Sequence, residues 1–419
     1  MALFPLAGLL ATAACDSAEI HILHTLHTDS AGIPIATAVE PLWGPDEGWT
    51  IEAEPLVEIG TVTGALEYQF SEVVAAVRLS NGDIVVADRG ASELRSYDAT
   101  GTFQWRAGRF GQGPGEFESL DFVGSTTGDS LVTYDEALMR VQLFDAGGQV
   151  SRSFDVHPQR FDSGRAGDMS SPEDLSFPDK AVGIVERYLI VRFLELRGRR
   201  TSGVVRQWDD RVVAVALGTG SATGLIVVGG EETVLRGGRS QGRYAFGNYA
   251  EFGAAADRVG VIDTEAYSVR VLSPVDGTIQ RIVRRDLAPR EVTDALFEEH
   301  LAGIMDMIGD VPREEVDRVE RMWRDFPRAP VLPVLRSIHV DATGHLWLQP
   351  YYVAGAEPPP FEIHAPDGSW LGSVAVPPGL ERAFIQYQAP YMEIGDDYIL
   401  GVWTDDLDVQ YVRMYRINK

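Results

Sequence analysis

Residues 70–117, FSEVVAAVRLSNGDIVVADRGASELRSYDATGTFQWRAGRFGQGPGEF, hold four short apolar runs separated by three turns. The turns are Ser80-Asn81-Gly82-Asp83, Arg89-Gly90-Ala91 and Ala99-Thr100-Gly101, where Asn and Gly supply the positive backbone angles that tight reversals demand. Runs of β-branched and aromatic residues bounded in this way predict a four-stranded antiparallel meander. The pattern returns after about 47 residues, a period typical of propeller blades: Gly128–Asp135 lies over Asn81–Asp88, Val141–Asp145 over Leu94–Asp98, and Gly148 over Gly101.

Further copies follow down the chain. A degraded third one offers Tyr188–Phe193 as second strand, Val204–Asp209 as third and Val212–Leu217 as fourth. The fourth copy is Asp257–Asp263, Ser268–Ser273 and Thr278–Val283; the fifth is Leu335–Val340, Gly344–Leu348, Phe361–His364 and Trp370–Val376. The sixth has only Tyr391–Ile394, Asp397–Val402 and Tyr411–Ile417. Three strands leave an unpaired edge, so the orphan run Trp49–Gly60 (WTIEAEPLVEIG) is expected to supply the missing strand and close the ring. The fold class is therefore all-β, a six-bladed β-propeller of four-stranded antiparallel blades. A seventh blade stays open if Ala222–Gly238 forms a cryptic one.

Residues 289–327 break the pattern. Phe297, Leu301, Ile304, Met305 and Ile308 recur at helical spacing, as do Val316, Val319, Met322, Trp323 and Phe326, and Pro312 opens the second run. They predict a two-helix insertion between blades 4 and 5, on the face where outer-to-inner strand connections and the loops between second and third strands both open. A long insertion there reads either as a cover for blade edges or as a lid or partner-binding element.

The chain has 419 residues, 45% of them hydrophobic, and a net charge of −26 from 62 acidic and 36 basic residues. Such charge argues against nucleic acid, which needs a positive surface, and against charge-driven attachment to anionic lipid. The only lysines are Lys180 and Lys419, a scarcity that reads as coding bias. A single cysteine, Cys15, excludes an internal disulfide and a cysteine-based zinc site. Residues 1–15 read as an export signal, because the apolar run 3–14 is too short to span a bilayer and leads into Thr12-Ala13-Ala14-Cys15. This resembles a bacterial lipoprotein signal, which implies lipidation of Cys15, although no Lys or Arg precedes the run and Thr12 replaces the usual Leu. Residues 16–48 read as a flexible tether and 49–419 as the propeller. His21, His24 and His27, spaced by three, would share a helix face, but a tether cannot preorganise metal ligands.

The Gly-rich close of blade 1, Gly111–Phe117, together with Val85–Asp88 and Leu94–Gly101, resembles the NHL-type repeat, and residues 49–419 resemble the bacterial six-bladed propeller lipoproteins of that superfamily. The resemblance implies an extracytoplasmic, lipid-anchored monomer held to a bacterial membrane only through its anchor. It implies little about activity, since propellers host binding and catalysis alike.

Asp88, Asp135, Asp263 and Asp405 end the second strands of blades 1, 2, 4 and 6. Either they converge and take a hard cation such as calcium through oxygen ligands, or each caps its own turn by accepting backbone N–H groups. Arg89, Arg192, Glu265, Tyr351 and Trp403 accompany them as a candidate ligand-binding face, with Glu136, Gln349 and Tyr352 beside them and Arg109, Gln112, Glu116, His157 and Arg160 on the loops between blades. Calcium-dependent lactonases of this fold would need an asymmetric Glu/Asn/Asp set, yet the asparagines are only Asn81, Asn248 and Asn418. Zinc lyases of this fold would need several channel histidines, yet His339, His345 and His364 crowd onto the strands of one blade and His364 lies over Tyr97, a packing position, which argues against a zinc set. There is no P-loop, GxSxG or HExxH motif, and no cofactor signature. Two functions stay open: a binding or interaction module for an envelope protein or a small polar or carbohydrate ligand, and a hydrolase or lyase using the central channel, with or without a divalent cation.

Overall fold

The computed structural model describes residues 23–45, 47–156, 176–196, 202–206, 208–236, 239–308, 311–379, 391–405 and 409–419. They form six antiparallel blades around one axis. Blade 1 comprises Val73–Arg78, Ile84–Asp88, Glu93–Tyr97 and Phe103–Ala107, and blade 2 Leu120–Ser125, Leu131–Asp135, Arg140–Phe144 and Val150–Asp155. Blade 3 is Ser176–Val185, Tyr188–Leu196, Trp208–Ala216 and Ala222–Gly229; blade 4 is Ala250–Ala255, Arg258–Asp263, Ser268–Leu272 and Ile279–Arg285. Blade 5 is Leu335–Val340, Leu346–Pro350, Phe361–His364 and Trp370–Val374.

Blade 6 contributes Glu393–Ile394, Tyr398–Thr404 and Gln410–Asn418. Its last strand pairs antiparallel with Thr50–Ile51 and with Val57–Ile59, so the two ends of the domain share one sheet, as the orphan run required. Each blade buries its faces against its neighbours in six apolar clusters, one per interface. Tyr97, Tyr134, Trp347 and Trp403 lie fully inside them, and each such side chain stabilises the ring by about 2–3 kcal/mol. Blade repetition is therefore a packing requirement, because no blade can cover both its faces alone.

The turns carry the repeat signal for local reasons. Gly101 sits at φ +84°, and the Asp98 carboxylate accepts the backbone N–H groups of Thr100 and Thr102 at 2.9 and 3.0 Å. Asp145 does the same for Gly147 and Gln149 in blade 2, at 3.0 and 2.9 Å. At the waist of the ring the inner strands touch through glycine: a Cβ on Gly183 would lie 2.2 Å from the Ala254 carbonyl oxygen, and one on Gly253 2.9 Å from that of Ile338.

Two expectations are corrected. Residues 16–48 are not a tether throughout: Thr25–Ser30 and Ile33–Ala38 form a hairpin, and the second of these strands pairs in parallel with Ile279–Arg285, extending blade 4 to six strands. His24 and His27 thus belong to a strand region, His24 hydrogen-bonded to the Pro41 carbonyl at 2.8 Å, while His21 lies outside the described residues. In blade 3 the third strand is Trp208–Ala216 and the fourth Ala222–Gly229, which removes the seventh blade; Ser202–Arg206 leaves the blade and pairs with Glu232–Arg236, itself paired with Arg239–Arg243. The apolar run Val204-Val205 resembles a blade strand in pattern, and only pairing partners separate the two.

The insertion forms helices α1 (Asp294–Ile308) and α2 (Arg313–Asp325) between the last strand of blade 4 and the first of blade 5. Phe297 and Leu301 of α1 bury with Phe246, Ala329, Leu332 and Val353 in a seventh cluster, outside the blade interfaces. Among the described residues no helix is long and apolar enough to cross a membrane.

Candidate functional site

The four repeated aspartates do not converge. Asp88, fully buried, accepts the N–H groups of Ser71 (3.1 Å), Glu72 (3.0 Å) and Ala91 (3.3 Å). Asp135 accepts those of Glu118 (2.7 Å), Ser119 (3.0 Å) and Leu138 (2.9 Å). Asp405 caps the N–H of Val409 at 2.9 Å and takes the Tyr411 hydroxyl at 3.3 Å. Asp263 has another partner: Arg206 grips it with two N–H groups at 2.9 and 3.0 Å, tying the extra three-stranded sheet to blade 4. Each carboxylate is consumed where it stands, and among the described residues no three His, Cys, Asp or Glu groups gather closely enough to hold a metal ion.

The histidines also part company. His339 packs edge-on to Phe361, His345 pairs with Asp341 at 3.0 Å, and His364 meets the Tyr267 hydroxyl at 2.7 Å. Trp403 is core, its ring 4.9 Å from that of Tyr415 and tilted by 48°, and Tyr351 belongs to the helical cluster. Glu265 lies on the exposed turn after Asp263. Gln112 hydrogen-bonds Glu118 and Arg109 pairs with Glu116, both on the surface. Cys15, His157 and Arg160 lie outside the described residues.

Two nominated residues, Arg89 and Arg192, enter an arrangement that sequence reasoning did not assemble. In four blades the innermost strand carries a β-bulge, opposite the end of the second strand in blades 1, 2 and 5 and opposite Arg192 and Phe193 in blade 3, and the extra residue is Val74, Asp121, Asp179 or Arg336 in blades 1, 2, 3 and 5. A bulge removes its residue from the ladder and re-aims the side chain. In blade 4, which pairs regularly there, the residue in the equivalent place is Glu251. One structural position thus carries Val, Asp, Asp, Glu and Arg around the ring, so the repeat symmetry is broken here even between blades 1 and 2, whose Asp88 and Asp135 keep the same cap.

From these positions a charged cluster spans blades 1 to 4. Arg89 donates to Asp121 at 2.8 Å and to Glu72 at 3.1 Å. Arg192 donates to Asp179 at 2.6 Å and faces Asp210 at 4.0 Å. Lys180 reaches Glu251 at 3.4 Å. Burial pushes Asp121 up to about 6 against the pull of Arg89, and pushes Asp210 up to about 6 against that of Arg192. Burial alone would raise Glu251 as well, but Lys180 and Arg192 overcome it and hold that carboxyl below its usual range. His339, driven down to about 4 by burial, is a neutral imidazole in the field of Glu251 and Lys180. The cluster therefore holds a firmly ionised carboxylate, Glu251, beside two, Asp121 and Asp210, that take a proton at about pH 6.

Asp121 and Asp179 were missed because a bulge depends on pairing register, and Asp210 and Glu251, paired regularly with Leu194 and Ile262, because their convergence depends on how separate blades pack; no local pattern reveals either. One signal was available: Lys180 is one of two lysines in a chain whose cations are otherwise arginine. Blades 6, 1 and 2 also touch through Tyr391, just before the first strand of blade 6. There Tyr391 donates its backbone N–H to Val74 at 2.9 Å and sets its ring edge-on to Phe122, 5.1 Å away. A separate hollow of about 240 Å³, lined by Thr61, Val62, Gln69, Phe70, Ser71, Val409 and Gln410, opens at the seam between blades 6 and 1.

No protein-family model and no curated protein matches the chain. Among solved structures it is similar to a member of the DUF4221 family from Bacteroides vulgatus (13% identity, 88% of this chain and 99% of that one, TM-score 0.48). It is also similar to an exported protein of Bacteroides fragilis (13% identity, 88% and 96%, TM-score 0.42) and to a gluconolactonase of Xanthomonas campestris (10% identity, 84% and 87%, TM-score 0.40). At these identities the likeness concerns the course of the backbone and assigns no activity.

Proposed function

We propose that the protein is an exported, lipid-anchored, NHL-like propeller of the bacterial envelope that works as a monomeric binding module. Its ligand, a small polar molecule or a polar group of an envelope partner, sits on the charged cluster of blades 1 to 4. The observation that carries this reading is the broken symmetry at one inner-strand position, bulged in blades 1, 2, 3 and 5 and regular in blade 4. The fold needs its Asp caps and glycine turns in blade after blade, whereas nothing in the packing demands Asp121, Asp179 and Glu251 in the places that Val74 and Arg336 fill elsewhere. Export and anchoring rest on the apolar run before Cys15.

The test is a thermal-shift screen of the full chain against sugars, amines, carboxylates and calcium, repeated on Asp179→Asn and Glu251→Gln. A ligand whose shift disappears in both variants supports the site. A ligand whose shift survives both places recognition elsewhere and refutes it.

A second reading, catalysis at the same cluster, is favoured by one observation: carboxyls pushed apart in acidity within one site suit acid and base roles, with Asp121 and Asp210 near 6 and Glu251 held low. Turnover of an ester or lactone that is abolished by Asp210→Asn with an unchanged melting temperature would establish it; a rate equal in wild type and variant would exclude Asp210 as the acid.

A further inference from the structure

We propose that the ligand of this cluster is a small organic cation, held through an ammonium group by the carboxylates of blades 2 to 4. The inference rests on reading the cluster as the binding site, and it adds the charge of the ligand.

Charge balance makes the argument. Asp121, Asp179, Asp210 and Glu251 face two cations of their own, Arg192 and Lys180, and a share of Arg89, which also serves Glu72. Every one of those cations is already engaged, so the site keeps an excess of carboxylate. Burial raises Asp121 and Asp210 to about 6, and the nearby Arg89 and Arg192 offset only part of it. At −26 the whole chain adds a field that draws cations and repels anions.

A second observation points the same way. Tyr134 is fully buried, its hydroxyl makes no hydrogen bond among the described residues, and the charges acting on it are led by Asp121, with Glu136, Asp179 and Asp135 behind. A buried hydroxyl without a partner is costly. An ammonium N–H, directly or through one water, would give Tyr134 a donor to accept while bonding the adjoining carboxylates. A metal ion suits the residues less well, because arginine and lysine are interleaved with the acids and no three of the acids gather as ligands among the described residues.

Lys180 makes the proposal sharp. In this arrangement its ammonium occupies the position that a cationic ligand competes for, beside Glu251 at 3.4 Å. The experiment is titration calorimetry of the full chain with 1,4-diaminobutane, with succinate and glucose as probes of opposite and zero charge, on wild type, Lys180→Gln, Lys180→Arg and Glu251→Gln, each checked for an unchanged melting temperature.

The diamine is expected to bind, to bind roughly tenfold more weakly to Glu251→Gln, and roughly tenfold more tightly to Lys180→Gln, the scale of one unit charge at such a spacing; Lys180→Arg should behave as wild type. A Lys180→Gln variant that binds the diamine more weakly than wild type overturns the proposal. So does a diamine that does not bind at all. If succinate or glucose binds instead and Glu251→Gln alters that binding, the cation assignment falls while the binding site stands. Should a variant melt early, Asp179→Asn replaces it, with the same loss expected as for Glu251→Gln.

Discussion

Glu393 sits where the ring closes, on the innermost strand of blade 6, and its carboxylate accepts the backbone N–H of Arg78 from blade 1 at 2.8 Å. Burial pushes it from 4.5 up to about 7, against the opposing pull of the Arg78 N–H, the Tyr398 hydroxyl and the Arg78 charge. At about 1.4 kcal/mol per pH unit, that difference corresponds to roughly 3 kcal/mol. The folded chain keeps the proton between pH 4.5 and 7, where the unfolded chain has lost it. Stability from neutral Glu393 is therefore complete below about pH 4.5 and is lost as pH rises through about 7. Replacing Glu393 by Gln leaves an uncharged acceptor for the Arg78 N–H and removes the titration. Chemical denaturation of wild type and Glu393→Gln from pH 5 to 8.5 isolates this one group, because Asp121, Asp210 and the other acids titrate in both proteins and cancel in the difference. The variant should match wild type at pH 5 and exceed it by about 2–3 kcal/mol at pH 8.5. A stability difference that stays flat across this range, or a variant less stable at pH 8.5, would refute the assignment.

Closing the ring end to end makes its seam a property of the whole domain: Ile59→Ala, at a residue only 1% exposed, should lower stability by about 2–4 kcal/mol, and melting followed by fluorescence and by circular dichroism should shift together, whereas an early transition confined to one probe would contradict closure. Asp135→Ala orphans three N–H groups and should lose about 2–4 kcal/mol; since those oxygens are engaged as turn caps, calcium or a chelator should not move the melting temperature of either protein, and a calcium-dependent rise abolished by this substitution would restore the metal reading. Cys15→Ala should move the protein from membrane to soluble fractions of the producing bacterium, and unchanged fractionation would remove the lipid anchor from the proposal.

How much of this was legible depends on the range over which each signal acts. Asp98, Gly101 and Gly148 announce their turns because the chemistry of a reversal is settled within four residues. Trp49–Gly60 was legible by subtraction, as a strand without a blade beside a blade lacking a strand. Blade 3 was read in the wrong register because Val204-Val205 and Val212-Val213 are equally suited to a strand, and only pairing with Glu232–Arg236 takes the first of them out of the blade. The hairpin at Thr25–Ala38 was invisible for a related reason: the burial of Ile33–Ala38 comes from pairing along blade 4, while Thr25–Ser30 is almost wholly exposed and alternates weakly. Arg89 and Arg192 could be nominated from the strand ends, but their partners could not, since Asp121 and Asp179 depend on which residue a bulge displaces and Asp210 on its pairing opposite Leu194.

That dependence suggests why the inner-strand bulges are where this scaffold varies. A residue within the ladder alternates between two blade interfaces and must suit whichever it faces, whereas a bulged residue has left the ladder and its side chain is released from that constraint. The consequence can be tested at Asp121. Asp121→Val gives blade 2 the residue that blade 1 carries at Val74, and it leaves Arg89 with Glu72 at 3.1 Å and the Leu120 carbonyl at 3.0 Å, so no buried cation is stranded. It also removes a carboxyl whose ionised form is disfavoured by burial. At pH 8 the variant should therefore be as stable as wild type or up to about 1 kcal/mol more stable, while Asp135→Ala, which removes a carboxyl from the neighbouring strand opposite Leu120, is clearly destabilised. If Asp121→Val lost as much stability as Asp135→Ala, the bulged position would be part of the framework after all, and the distinction between a repeated scaffold and a variable site built on it would fail.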